Sequence, residues 1–155
     1  MHRSRLFFAP TGRSLEKGQV SVGVFEFIAP FVQVGVTDNF SVGGGTPLVF
    51  GIEDFDRPFW VTPKYRILKR DRLQAAVGVL HVFDTSQGDS AMIGGERRVR
   101  RNLKVITENY IWNGGEGILS GGVRFMGGRL SADLALAMPL GEAFVFPVVN
   151  FVYVF

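Results

Sequence analysis

Serine, histidine and acidic side chains occur in this sequence at positions from which a nucleophilic triad could be proposed. The combination that the strand pattern offers is Ser120 with Asp133 and His81. A working triad needs all three side chains within hydrogen-bond reach of one another. Side chains alternate between the two faces of a strand, and this alternation puts His81 on the opposite face from Ser120 and Asp133. The sequence therefore predicts no hydrolase or acyltransferase, and no enzyme of another kind.

Charged residues alternate with glycine, alanine and serine along several predicted strands. In residues 129–138 (RLSADLALAM) the leucines share one face, whereas Asp133 shares the other with Ser131 and two alanines. Small side chains suit the crowded interior of a narrow barrel. Isolated charges there would cost several kcal/mol, so opposite charges must pair. The predicted lumenal ion-pair network consists of Glu96, Arg98, Glu108, Arg124 and Asp133, with Lys64, Arg66 and Lys104 as further candidates. The carboxylates could also act as general acids or bases, but a structural network is the preferred interpretation.

Signals for metal, phosphate and cofactor binding are weak. The two histidines, His2 and His81, have no HxxH spacing and the chain has no cysteine, so no metal site and no cofactor are predicted. Three glycines at residues 43–45 lack the following Lys-Ser/Thr and the strand-to-helix context of a phosphate loop. Close packing or a bend of the sheet is the better explanation for these glycines.

Four arginines around Val99 form the one charge cluster, and nucleic-acid binding is the sharpest interpretation of it. The cluster consists of Arg97, Arg98, Arg100 and Arg101. Alternation around Val99 divides these side chains between faces, and the formal net charge of the chain is only +3. The prediction is therefore a solvated turn with one or two lumenal arginines and no nucleic-acid partner. A turn near anionic lipid headgroups is an intermediate alternative.

Composition and periodicity favour a single all-β domain. The chain has 155 residues, 20 glycines, 15 phenylalanines and a mean hydropathy of +0.20, which is apolar for a soluble protein of this size. It has no apolar run of about 18 residues, which excludes a transmembrane helix. Residues 1–17 are predicted as an irregular N-terminal segment whose apolar core is too short for an export signal. Alternating runs separated by turn signals then predict one barrel domain over residues 18–155.

The predicted fold is an up-and-down antiparallel β-barrel of the transmembrane type, because tight turns alternate with longer loops. A tilted strand crosses a bilayer with about 9 to 11 residues, so roughly ten strands, in a range of about eight to twelve, use the whole chain. An even number places both termini at one end. Ala29 and Pro30 are predicted to break a strand, and Pro63 is predicted to cause a bulge or to shorten its strand.

The last stretch, residues 144–155 (FVFPVVNFVYVF), is apolar on one face and carries Asn150 in the middle of the other. It ends on an aromatic residue. Aromatic side chains are typical of the two interfaces of a membrane barrel, although ordinary core packing would also accommodate them. The predicted membrane-interface aromatics are Trp60, Trp112, Tyr153 and Phe155.

Residues 35–47 (GVTDNFSVGGGTP) and 94–109 (GGERRVRRNLKVITEN), with residues 5–19 and the last strand, resemble a group of poorly characterised outer-membrane β-barrel proteins of environmental bacteria. The similarity covers most of the chain from Leu6. It implies a bacterial outer-membrane location, contact with membrane lipid, and recognition of the C-terminal strand by barrel-assembly machinery. The chain departs from the group in lacking an export signal and in the shortness of residues 84–90.

The predicted function is a structural, binding or narrow-pore role for a non-enzymatic outer-membrane barrel with a polar lumen filled by side chains. Such a barrel is too narrow for an open porin channel, since wide aqueous lumens appear at about sixteen strands. Residues 47–57 and 84–90 are predicted as adaptable external loops. The alternative is a soluble β-barrel that binds an apolar small molecule in its interior. In that barrel the apolar face of each strand would point inward and the polar face outward.

Overall fold

The computed structural model describes residues 15–26, 29–48, 58–83 and 89–155, and within these ranges the chain forms ten strands and no helix. The strands are β1 (Val20–Phe25), β2 (Ala29–Gly35), β3 (Phe40–Gly45), β4 (Trp60–Lys69), β5 (Leu73–Val82), β6 (Ser90–Arg100), β7 (Leu103–Trp112), β8 (Gly117–Gly127), β9 (Leu130–Pro139) and β10 (Phe146–Val154). The predicted all-β fold of about ten strands is confirmed. The break expected at Ala29 and Pro30 is wrong, because these residues begin β2. Most of the N-terminal segment and of the two predicted external loops lies outside the described residues.

Closure of the sheet makes the fold a barrel. Each strand pairs antiparallel with its neighbours in sequence, and β1 also pairs with β10. This seam runs from Ser21 opposite Val154 to Phe25 opposite Asn150. A closed sheet has no edge strand, so no row of unpaired backbone groups is left for another chain to bind. The up-and-down order predicted from the turn signals is therefore present.

The barrel has two different ends, which we call the turn rim and the loop rim. The turn rim carries the short connections at residues 36–39, 70–72, 101–102 and 128–129. The connections after β1, β3, β5, β7 and β9 lie at the loop rim. Because the number of strands is even, β1 begins and β10 ends at the same rim, the turn rim.

Strand β4 continues through Pro63, although proline cannot donate a hydrogen bond to a sheet. Its ladder with β5 is interrupted over Thr62 and Pro63 and resumes at Lys64. The register shift of this ladder lies further along the strand, between Arg66 and Leu68. The prediction of a bulge at Pro63 is thus wrong in position. The sheet omits ladder pairs around the proline, and the irregularity in register falls closer to the turn rim.

The outer wall of the barrel is apolar, whereas the inner wall carries the charges. On β9, Leu134 is 52% exposed and Asp133 is 5% exposed. On β8, Phe125 faces outward and Arg124, which is 3% exposed, faces inward. The large apolar side chains exposed on the strands include Val32, Val34, Tyr65, Ile67, Leu73, Val79, Ile93, Val99, Val105, Ile111, Leu119, Phe125, Leu130, Leu134, Leu136, Met138 and Tyr153. A barrel with an apolar interior and a polar exterior would show the opposite distribution.

The lumen is divided into two layers along the barrel axis. One is an apolar cluster, which we call the apolar layer, and all its members except Val152 lie in the half of their strand that is nearer the loop rim. The buried charges occupy the middle of the barrel and the half nearer the turn rim. The apolar layer consists of Ala29, Phe31, Trp60, Leu80, Val82, Met92, Tyr110, Ile118, Ala137, Val148 and Val152.

Glycine at the end of β3 makes room for the largest side chain of the apolar layer. Gly45 is paired with Trp60 on β4, and a Cβ added to Gly45 would lie 2.5 Å from Cζ2 of the indole. It would also collide with the carbonyl oxygen of Pro30. The indole therefore lies across a bare backbone, a packing device known from other sheets. For Gly45, close packing explains the glycine better than phosphate binding does.

Gly45→Ala is expected to lower the free energy of unfolding by about 1 to 3 kcal/mol, because overpacking forces the indole or the β2 backbone to move. The change in tryptophan emission and the shift of the denaturation midpoint would measure it. Gly95→Ala on β6 is the matched control, since its added Cβ would meet neighbours only at 3.4 Å or more. Equal effects of the two substitutions would contradict the packing account.

Candidate functional site: an ion-pair network in the lumen

Arg124 lies at the centre of the buried charges. Its Nε donates to Oδ1 of Asp133 at 2.6 Å, and its Nη2 donates to Oδ2 of the same carboxylate at 2.8 Å. Its Nη1 donates to Oε2 of Glu96 at 3.3 Å. Arg124 and Asp133 are directly opposite each other on β8 and β9. This two-bond contact matches the planar fork of a guanidinium to a carboxylate, the strongest geometry available to such a pair.

The network extends from Arg124 in both directions. Nζ of Lys104 donates to Oε1 of Glu96, and Nδ2 of Asn150 donates to Oδ2 of Asp133 at 3.1 Å. Positive and negative groups thus alternate in order of contact from Lys104 to Asp133, and with the neutral Asn150 the network includes one residue from each of the five consecutive strands β6 to β10. Each carboxylate accepts from two side chains, which offsets part of the cost of removing it from water. In spatial order the network is Lys104, Glu96, Arg124, Asp133 and Asn150.

A second ion pair lies where the charges meet the apolar layer. Nζ of Lys64, which is fully buried, is 3.7 Å from Oε2 of Glu108. The hydroxyl group of Tyr110 donates to Oε1 of the same carboxylate. Lys64 is on β4 and Glu108 is on β7, so this pair crosses the lumen, unlike the pairs between adjacent strands. Its carboxylate is held from one side by a cation and from the other by a phenol.

Four of the five residues predicted for the network are buried and paired, and Arg98 is not among them. Its side chain is exposed at the turn rim, so its prediction as a lumenal residue is wrong. Arg98 lies directly opposite Lys104, a residue of the same charge, and the register of β6 shifts just after it. Lys104 donates to Glu96, whereas the side chain of Arg98 is exposed at the rim. The residues that the structure brings inside are Glu96, Glu108, Arg124 and Asp133.

The four aromatic residues predicted for a membrane interface occupy two different environments. Tyr153 and Phe155 are exposed beside the turn rim, with their rings in an edge contact at 5.0 Å. Trp60 is 0% exposed and belongs to the apolar layer, so its prediction as an interface residue is wrong. Trp112 packs against the same layer from the lumenal face of β7. The physical reason is strand alternation, which places both indoles on the face that also carries lumenal charges.

Polar side chains replace part of the backbone ladder between β7 and β8. Ladder pairs are present up to Thr107 and begin again at Tyr110. In between, Oδ1 of Asn109 accepts from the backbone N–H of Ser120 at 3.1 Å, and the hydroxyl of Thr107 donates to the carbonyl of Ser120 at 2.7 Å. The hydroxyl of Ser120 donates to the carbonyl of Glu108. Ser120 is therefore occupied by structural hydrogen bonds.

The residues of the possible triad are not brought together. His81 is half-buried, and its Nδ1 pairs with Oδ1 of Asp89 near the loop rim. Ser120 takes part in the bridge between β7 and β8, and Asp133 belongs to the network of Arg124. Within the described ranges, no group of three His, Cys, Asp or Glu side chains could hold a metal ion.

The predicted network omits Gln33 and Asn150, two polar residues of the lumen. Nε2 of Gln33 donates to Oγ of Ser41 at 2.9 Å inside the barrel, and Asn150 binds Asp133 as described above. The signal for Asn150 was available, since it is the one polar residue on the inward face of an apolar strand. Gln33 lies between Val32 and Val34 on β2. A polar residue between two apolar ones in a strand is the signal that would have placed Gln33 on the inward face.

Fold and site together define a class: a closed ten-stranded up-and-down barrel with an apolar outer wall and a lumen filled by paired charges and packed aromatics. Comparison with protein-family models and with curated proteins found no match for this chain. The part of the chain that the structure describes contains no helix that is long and apolar enough to cross a membrane. The resemblance noted from the sequence therefore stays a prediction.

Proposed function

We propose that the chain is a bacterial outer-membrane β-barrel with a structural or binding role and no enzymatic activity. The observation that carries this proposal is the apolar outer wall. Strands β4 to β9, each with 10 or 11 residues, have the length that a tilted strand needs to cross a bilayer. Their outward side chains are mainly Leu, Ile, Val, Phe and Met, for which lipid is a far better environment than water.

The contents of the lumen support a closed barrel in preference to a pore. The apolar layer fills the half nearer the loop rim, and the ion-pair network fills the other half. A depression at the turn rim beside Glu96 and Lys104 has a volume of about 20 Å³, enough for roughly one water molecule. A narrow-pore role would require the packed indole of Trp60 and its neighbours to move aside.

The alternative of a soluble barrel with an apolar ligand inside has less support. Its interior would have to be an apolar cavity, whereas the lumen contains seven buried charged side chains among the described residues. Its outer wall would have to meet water with Leu134, Leu136 and Ile67 each more than half exposed. Contiguous apolar surface of this kind is characteristic of sites that contact lipid or another protein.

The C-terminal strand is proposed as the recognition element for barrel-assembly machinery. Support comes from the resemblance and from the outward position of the aromatic pair Tyr153 and Phe155 at the end of β10. Phe155 is 67% exposed, yet its backbone N–H still donates to the carbonyl of Val20 at 2.9 Å. Phe155 is therefore both hydrogen-bonded to β1 at the seam and available for contact.

Refolding in the presence and absence of lipid would test the proposed function. The denatured chain is expected to gain strand structure and float with lipid vesicles after dilution into them, and to aggregate after dilution into buffer alone. A monodisperse, folded protein in detergent-free buffer that fails to float with vesicles would contradict a membrane location. In planar bilayers the inserted protein is expected to carry no steady current. Stable single-channel openings would contradict a closed barrel and support a pore.

A further inference from the structure

Among the residues that the structure describes, the two rims of the barrel carry opposite charge. Exposed basic residues at the turn rim are Lys17, Lys69, Arg70, Arg72, Arg97, Arg98, Arg100, Arg101 and Arg129, against the acidic residues Glu16, Asp38 and Asp71. At the loop rim, the described acidic residues are Glu26, Asp89, Glu116 and Glu142, and no Lys or Arg is found there among the described residues. The small net charge of the whole chain therefore conceals a strong difference between its two ends.

Seven of the basic residues form what we call the basic collar. They come from the connections between β4 and β5, β6 and β7, and β8 and β9, together with the end of β6. These three hairpins are neighbours in the barrel, so their side chains cover one continuous part of the turn rim. The basic collar consists of Arg70, Arg72, Arg97, Arg98, Arg100, Arg101 and Arg129.

The basic collar borders directly on the apolar outer wall. Arg97 points outward between two exposed apolar residues, Leu73 on β5 and Val105 on β7, with which it is in register. The backbone carbonyl of Arg129 accepts from the N–H of Val154 at 3.0 Å. This hydrogen bond fixes the collar beside the last strand, where Phe155 is exposed. Long guanidinium side chains next to apolar surface can cover it with their stems while the charge reaches outward.

We propose that the basic collar binds the phosphate groups of anionic phospholipids in the leaflet at the turn rim. This inference rests on the proposed function, because it requires the apolar wall to lie in a bilayer. The chemistry is a charge-assisted hydrogen bond from a guanidinium to a phosphate oxygen, for which arginine is better suited than lysine. The level of the collar, at the edge of the apolar wall, is the level of the headgroups.

Charge complementarity and geometry favour a lipid leaflet over a nucleic acid. Nucleic-acid binding needs basic side chains along a surface that the phosphate backbone can follow. The collar instead follows the perimeter of the barrel, and Val99 and Leu73 are exposed between its arginines. Basic side chains at a membrane surface each strengthen attraction to anionic lipid, so several of them together predict a clear lipid preference.

Binding to vesicles of two compositions would test the collar. The probes are pure phosphatidylcholine vesicles and vesicles with roughly 30% phosphatidylglycerol, whose negative surface potential attracts basic segments. The wild type is expected to insert into both, with a preference of about ten-fold or more for the anionic vesicles at low salt. Replacing Arg97, Arg98, Arg100 and Arg101 by glutamine is expected to remove most of this preference. Replacing the same four residues by lysine is expected to keep a large part of it.

Glu116→Gln combined with Glu142→Gln at the loop rim is the matched control and is expected to leave the preference unchanged. Equal insertion of the wild type into both kinds of vesicle would contradict lipid binding by the basic collar and would still support the membrane location. Failure to insert into either would instead refute the proposed function. A different result would be that the wild type is retained on DNA at moderate salt and shows no lipid preference. If the glutamine variant then lost this retention, the ligand of the basic collar would be a nucleic acid and not a lipid.

Discussion

Leu134→Arg is expected to destabilise the barrel in lipid vesicles by about 2 to 4 kcal/mol. Leu134 lies in the middle of β9 and points away from the lumen. If the wall faces hydrocarbon, an arginine at this depth must leave water or deform the bilayer to reach it. In an aqueous environment the same substitution would replace an exposed leucine with a soluble side chain and would change stability by less than about 0.5 kcal/mol.

Leu130→Arg is the matched control for this prediction. Leu130 begins the same strand, points to the same side and is as exposed as Leu134, but it lies next to the turn rim. Near the interface an arginine is expected to cost about 0 to 1 kcal/mol. Equilibrium unfolding in urea would compare the two variants at the same lipid ratio. Two neutral substitutions would remove the main support for a membrane location.

Arg124→Met is expected to lower the free energy of unfolding by about 3 to 5 kcal/mol. The substitution removes the guanidinium that donates twice to Asp133 and once to Glu96. Glu96 keeps its contact with Lys104, but Asp133 is left with the amide of Asn150 as its described side-chain donor. A buried carboxylate without a cation costs more than the lost pair contributed, so the effect exceeds that of a surface ion pair.

Two further variants test whether the lost stability comes from the carboxylate of Asp133, which Arg124→Met leaves buried without a cation. Adding Asp133→Asn to Arg124→Met is expected to recover part of the stability, because the neutral amide is cheaper to bury. Arg98→Met at the rim is the control for loss of an arginine and is expected to change stability by less than about 0.5 kcal/mol. Full additivity of the two lumenal substitutions, measured as urea midpoints at unchanged slope, would argue against their coupling.

The architecture is largely encoded in the period of the sequence. Alternation over residues 103–112 predicts a strand with the bounds that β7 has in the structure. The same alternation assigns Asp133 and Arg124 to one wall and Leu134 to the other. Turn signals such as Gly128 between β8 and β9, whose φ is +61°, fix the hairpins. These features are local, and local physics suffices to predict them.

Position along the barrel axis is the quantity that alternation does not provide. Arg98 has the same parity as Glu96, but it lies two residues closer to the rim, where water competes with any lumenal partner. Trp60 shows the converse error. An aromatic residue at the start of a strand suggests an interface, yet its parity with Lys64 places it inside, where Gly45 from another strand accepts its ring. The exposure of Arg98 depends on its position along the axis, whereas the inward position of Trp60 follows from its parity and only its close packing on Gly45 depends on another strand.

The placement of the ion pairs has a consequence for the order of folding. The hairpin of β6 and β7 can already join Lys104 to Glu96, and the hairpin of β8 and β9 can already join Arg124 to Asp133. The pair of Lys64 and Glu108 is different, because β4 and β7 approach only when the sheet curls. Nascent hairpins would therefore already pair these buried charges, and the contact between Lys64 and Glu108 would report the moment at which the curling sheet becomes a tube.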